Sequence, residues 1–132
     1  AALKLRAAGL RPTRQRLVLA CRLFREHDRH VTAEILHAEA ARAGVKVSLA
    51  TVYNTLHQFT AAGLLREVAV DAARSYFDTD TSDHHHFYLE DEQRVVDIPA
   101  SSIIIQNLPE PPAGTAITHV DVVVRVKREP RA

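Results

Sequence analysis

Ser48-Leu49-Ala50-Thr51-Val52-Tyr53-Asn54-Thr55-Leu56-His57-Gln58-Phe59 opens on a hydroxyl and repeats apolar residues at helical spacing. Gly63 follows, just before Leu64-Leu65. Ser48 suits an N-cap, where its oxygen accepts from a free first-turn N–H. Val52, Leu56 and Phe59 form one apolar stripe, and Gly63 supplies the left-handed residue that ends a helix. The other face offers Thr51, Tyr53, Asn54, His57 and Gln58, with no acidic residue between Ser48 and Arg66. An ordinary solvated helix carries Glu–Lys pairs. One bearing amides and hydroxyls suits the major groove of DNA, where Asn and Gln pair with adenine edges.

Working toward the N-terminus, Leu3 to Ala8 reads as a short helix closed by Gly9, and Thr13 as the cap of a second. Leu17, Ala20, Cys21 and Phe24 recur at helical spacing, which predicts Cys21 as a small buried hydrophobe. Arg11, Arg14 and Arg16 cluster at that helix start, within reach of phosphates. A further helix spans Thr32 to Ala43 and stops at Gly44; His30 precedes it in the turn after Asp28-Arg29 and reads from position alone as a surface residue. Beyond Gly63, Leu65 to Val70, a turn at Asp71-Ala72-Ala73, and Arg74 to Asp78 form a hairpin. Helices followed by a hairpin are the winged variant of helix-turn-helix. The expected class is therefore α+β, with an N-terminal winged helix-turn-helix DNA-binding domain over residues 1–80. A small α/β dimerisation and ligand-sensing domain follows over 81–132.

The second half turns on Asp83-His84-His85-His86-Phe87-Tyr88. In an extended chain side chains alternate, so His84, His86 and Tyr88 share one face while His85 and Phe87 take the other. His84 and His86 then can grip one ion together; the competing reading is a polar loop. After a polar turn at Glu90 to Gln93, Arg94 to Ile98 reads as a strand. Ser101 to Leu108 fits a short helix or a strand, Pro109 to Gly114 interrupts, and Ala116 to Lys127 is the best strand candidate in the chain. So small a sheet is expected to pair its apolar surface with a second copy, giving a homodimer.

Charge divides with the halves. Residues 1–66 carry 11 Lys and Arg against 4 Asp and Glu, and residues 67–132 carry 6 against 12, although the whole chain is only +1. A basic half joined to an acidic, histidine-bearing half points to a polyanion-binding module linked to a cation-binding one. No apolar run reaches the roughly 20 residues that span a bilayer. The single Cys excludes an intrachain disulfide and a Cys-rich zinc site, and points to a reducing cytoplasm.

Ala8-Gly9-Leu10-Arg11-Pro12-Thr13-Arg14-Gln15-Arg16, His30-Val31-Thr32-Ala33-Glu34, Leu49 to Leu56 and the His84–His86 run together resemble the ferric uptake regulator family. Ser48 to Leu56 with His84 to Glu90 looks most like its iron response regulator branch of alphaproteobacteria. The resemblance implies a DNA-binding transcription regulator, not an enzyme, that acts as a homodimer on A·T-rich operators of iron and haem genes. Thr51, Tyr53 and Asn54 would face bases, and Arg11, Arg14, Arg16 and Ser48 would hold phosphates or a minor groove. A divalent metal (Fe, Mn or Zn) would fall on His30, Asp78, His84 and His86. A second metal site would use Asp83, His85 and His119, although its usual acidic ligand aligns near Ile104, which cannot coordinate. Leu89 and Glu92 stand where many relatives have Cys-x-x-Cys, so a Cys-ligated structural zinc is not expected. The iron response regulator branch further implies haem on His84, His85 and His86, with Phe87 and Tyr88 as flat apolar surface. The alternative within the family is a metal-activated or peroxide-sensing repressor. Outside it stand a histidine metalloenzyme, for which no separate general base is evident, and an architectural DNA binder.

Overall fold

The computed structural model describes residues 1–25 and 27–130. The chain divides into two compact units, Ala1–Thr81 and Ser82–Ala132.

The first unit runs α1 (Ala2–Ala7), α2 (Arg14–Leu23), β1 (His30–Val31), α3 (Ala33–Arg42), α4 (Leu49–Ala61), β2 (Arg66–Asp71) and β3 (Arg74–Asp78). Thr13, Thr32 and Ser48 cap α2, α3 and α4 by accepting from Arg16, Ile35 and Thr51 N–H groups. Each helix thus starts where a hydroxyl satisfies an orphan donor. The core gathers Leu19, Leu23, Leu36, Val52, Leu56, Phe59 and Phe77. The wing is antiparallel, with Val68 opposite Tyr76 and a register shift between Ala69 and Asp71; β1 adds to its other side, giving the order β1-β3-β2.

Two expectations in this unit are corrected. Cys21 is exposed, because α2 turns Leu19, Ala20 and Leu23 to the core and Cys21 lies on the next face round. His30 is not in a turn. It begins strand β1, paired with Asp78.

The second unit is a three-stranded sheet of β4 (His84–Leu89), β5 (Arg94–Pro99) and β6 (Val123–Val126), in the order β5-β4-β6. β4 and β5 form a hairpin over residues 90–93, where Gln93 takes a positive φ of 50°. β6 runs parallel to β4. The expected helix or strand over Ser101–Leu108 reduces to a 3-10 turn at Ala100–Ser102, and the expected strand over Ala116–Lys127 shortens to Val123–Val126. Alternation makes a segment able to pair, but a ladder needs a neighbour. β6 pairs with His86–Leu89 of β4 alone, and Ile104, Leu108 and Ile117 are left exposed. The register also sets Phe87 beside Val96 on one side and Val124 on the other, all more than a third exposed.

Arg29 ties the loop before β1 to α3. Its guanidinium donates to both oxygens of Glu39, while Arg22 Nε stands 3.9 Å from the same carboxylate. The Arg29 hydrogen bond, acting against the opposing effect of burial, holds the Glu39 carboxyl below the ordinary carboxylate range. A carboxyl depressed on folding stabilises the fold above its unfolded pKa, and that contribution is lost as pH falls through the lower folded value. Glu39→Gln is expected to lower stability by roughly 1 kcal/mol at pH 7. In urea denaturation the gap from wild type should close as pH falls below about 4; equal midpoints at pH 7 would show that the pair contributes nothing.

Candidate nucleic-acid interface and metal centre

Helix α4 turns Val52, Thr55, Leu56 and Phe59 inward, leaving Asn54, His57 and Gln58 exposed and Thr51 and Tyr53 half-buried. Ser48 Oγ accepts from the Thr51 N–H at 3.1 Å and donates to Thr51 Oγ1 at 2.9 Å, so these two side chains are mutually engaged at the cap. Tyr53 stacks on His57, one helical turn away, with ring centroids 5.9 Å apart. His57 in turn meets the Phe77 ring edge-on at 5.4 Å. Tyr53 is therefore held upright by a column of rings rooted in the wing.

Arg11 and Arg14 are exposed at the head of α2. Arg16 behaves differently. Its Nε and Nη2 donate to Gln58 Oε1 at 3.2 and 3.1 Å, and its Nη1 donates to the Arg11 carbonyl at 2.9 Å. Of the three arginines assigned to DNA from sequence, Arg16 is thus the one hydrogen-bonded to α4.

Imidazoles and carboxylates meet within each unit. In the first, His30 Nε2 lies 3.0 Å from Asp78 Oδ2, because the β1–β3 register sets these residues opposite each other. Asp78 is almost fully buried, and its other oxygen accepts from the Asp80 N–H at 2.9 Å. In the second unit, alternation along β4 puts His84 and His86 on one face, ring centroids 4.5 Å apart. Asp97 on β5 is the register partner of His86, and its Oδ1 lies 3.2 Å from His84 Nε2 and 3.4 Å from His86 Nε2. These three ligand atoms lie within 4.8 Å of one another. His84 Nδ1 donates to the Ser82 carbonyl at 2.7 Å, which orients the ring so that Nε2 is the nitrogen turned toward Asp97. Two imidazoles and a carboxylate, one ring oriented by a hydrogen bond on its other nitrogen, fit a divalent transition metal.

Sequence reasoning missed Asp97. The signal was present: a four-residue turn closing Leu89 on Arg94 sets Asp97 opposite His86.

His85 and His119, assigned from sequence to a second site, have other partners in the structure. His85, on the opposite face of β4, accepts the Val122 N–H on Nδ1 at 3.1 Å. A neutral imidazole accepting at Nδ1 carries its proton on Nε2, so neither nitrogen offers a lone pair to a ligand while that bond stands. His119 Nε2 faces Asp121 Oδ2 at 3.1 Å on an exposed stretch. Asp83, His85 and His119 lie outside the ligand set gathered among the described residues.

A sequence model of the Ferric uptake regulator family matches residues 7–124. The chain is 37% identical over 95 residues to the Ferric uptake regulation protein of Pseudomonas aeruginosa, a match spanning 71% of each. It is 33% identical over 93 residues to the Peroxide-responsive repressor PerR of Staphylococcus aureus, spanning 70% of this chain and 62% of that protein. Among solved structures, the ferric uptake regulator from Pseudomonas aeruginosa with manganese aligns at a TM-score of 0.73 and 29% identity over 97% of both chains. The Vibrio cholerae ferric uptake regulator aligns at 0.75 over 96% of this chain and 98% of that one, a likeness of fold at 24% identity. Among the described residues no helix is long and apolar enough to cross a membrane. Capped helices, wing and histidine-bearing strand β4 all fall inside one family's sequence model, and the chain belongs to the ferric uptake regulator family.

Proposed function

We propose that this chain is a homodimeric transcription regulator that binds A·T-rich operator DNA and responds to a divalent metal. The observation that carries the reading is the convergence of His84 Nε2, His86 Nε2 and Asp97 Oδ1, with the His84 ring oriented by its Nδ1 hydrogen bond to Ser82. The proposal assigns one ion to these three residues together with His30 and Asp78. Three imidazoles and two carboxylates suit Fe(II), Mn(II) or Zn(II); the ion would neutralise the buried Asp78 and the exposed Asp97 and fix their partners. Donors drawn from β1 and β3 and from the histidine sheet would make ion binding and the placement of α4 interdependent. Asn54 and Tyr53 would read base edges, and Arg11 and Arg14 would take phosphates or the minor groove. The row Phe87, Val96 and Val124 offers a second copy an apolar face. A dimer would present two recognition helices to two half-sites.

A small ion is preferred to haem on three grounds. His84, His85 and His86 are all buried, and His85 spends Nδ1 on Val122. Tyr88 is buried with Arg125 over its ring at 5.7 Å, and Phe87 projects from the sheet face opposite His84 and His86. The iron response regulator branch, and haem with it, is the finer reading.

Operator-duplex anisotropy at fixed salt separates the two. Metal-free protein is expected to bind weakly, Mn(II) to tighten binding at least about tenfold, in the range of ordinary coupling free energies, and haemin to do nothing. Tight binding without metal, released by haemin, would replace the metal reading with the haem one. In a second measurement, Asp97→Asn is expected to weaken Mn(II) binding roughly 10- to 100-fold in competition with a fluorescent chelator. Wild-type affinity in that variant removes Asp97 from the site.

A further inference from the structure

The geometry points to Arg16 as a positioning residue that fixes the Arg11 loop against the recognition helix, with Gln58 as its anchor, and not as a phosphate contact. The inference rests on the operator-binding reading and adds a division of labour within it.

The loop between α1 and α2 is already partly set. Gly9 takes a φ of 79° and donates to the Arg6 carbonyl, Leu10 donates to Leu5, and Thr13 caps α2. Pro12 restricts Arg11 to extended backbone and has no N–H to give. Leu10 packs against the core, but none of those hydrogen bonds reaches α4. Arg16 closes that gap. Its planar fork spends two donors on Gln58 Oε1 of α4 and one on the Arg11 carbonyl.

The consequence for each partner follows from hydrogen-bond capacity. Gln58 Oε1 has two acceptor sites and both are used, so Gln58 is not poised for the bidentate reading of adenine that its place on α4 suggests. The Arg11 carbonyl is held while its side chain stays exposed. Arg11 is thus presented to DNA at a set distance from Tyr53 and Asn54. Lysine cannot replace Arg16 here, since a point ammonium lacks the fork that spans both acceptors.

Operator binding of full-length protein, measured by anisotropy over a salt series, tests the assignment. Arg16→Lys keeps the charge and Gln58→Leu alters none. Each is expected to weaken binding about tenfold, the scale of a hydrogen bond to a charged group. The double variant should be no weaker than the worse single, and the slope of log affinity on log salt should stay at the wild-type value. A phosphate contact behaves otherwise: Gln58→Leu and Arg16→Lys would both bind as wild type, while Arg16→Gln would lower the slope by about 0.9. That outcome overturns the inference. Failure of wild-type protein, with or without Mn(II), to bind any A·T-rich duplex would instead overturn the operator reading on which the inference stands. Far-ultraviolet dichroism of each variant shows that α4 is intact.

Discussion

The alternation of side chains along His84–Leu89 is the constraint on which the second unit depends. One strand must serve two chemistries, and a period of two lets it do so without compromise. His84 and His86 project to the side where Asp97 waits, and Phe87 to the side where Val96 and Val124 make an apolar row. His85 falls among the apolar residues, and its backbone-directed hydrogen bond to Val122 explains why an imidazole is tolerated there. A buried polar group with a partner costs little; without one it would be costly.

The first unit applies the same economy to helices. Each of the three longer helices begins on a hydroxyl cap, so its start is set locally, before any tertiary packing. Packing then decides only which stripe faces in. For α4 the inward stripe leaves a polar face with no carboxylate to repel a phosphate backbone. The rings of Tyr53, His57 and Phe77 link that face to the strand that also bears Asp78. On the proposed reading, metal binding and base reading share one strand as a common support.

Most of this was legible in the sequence, and the exceptions have identifiable causes. Caps, glycine stops and the wing hairpin are local signals and fell where expected. His30 was not readable from position alone, because a two-residue strand has no period of its own and exists only through β3. Cys21 was misplaced because Leu19, Ala20 and Leu23 form a better inward stripe than the one containing it. Asp97 needed a register, which a linear reading supplies only once the Glu90–Gln93 turn is fixed. Ala116 to Lys127 reads as one long strand, yet a ladder forms only along Val123–Val126.

The two connections in the second unit differ in how much length they tolerate. Between Pro99 and Val123 the chain makes a long excursion before β6 pairs, and doubling such a loop costs only about 0.6 kcal/mol. Relatives can therefore lengthen or shorten that excursion while keeping the sheet. The turn over residues 90–93 has no such freedom. A single residue inserted there slips β5 by one position and swings Asp97 to the apolar side, away from both imidazoles. Over evolutionary time, insertions should accumulate in the first connection and be purged from the second.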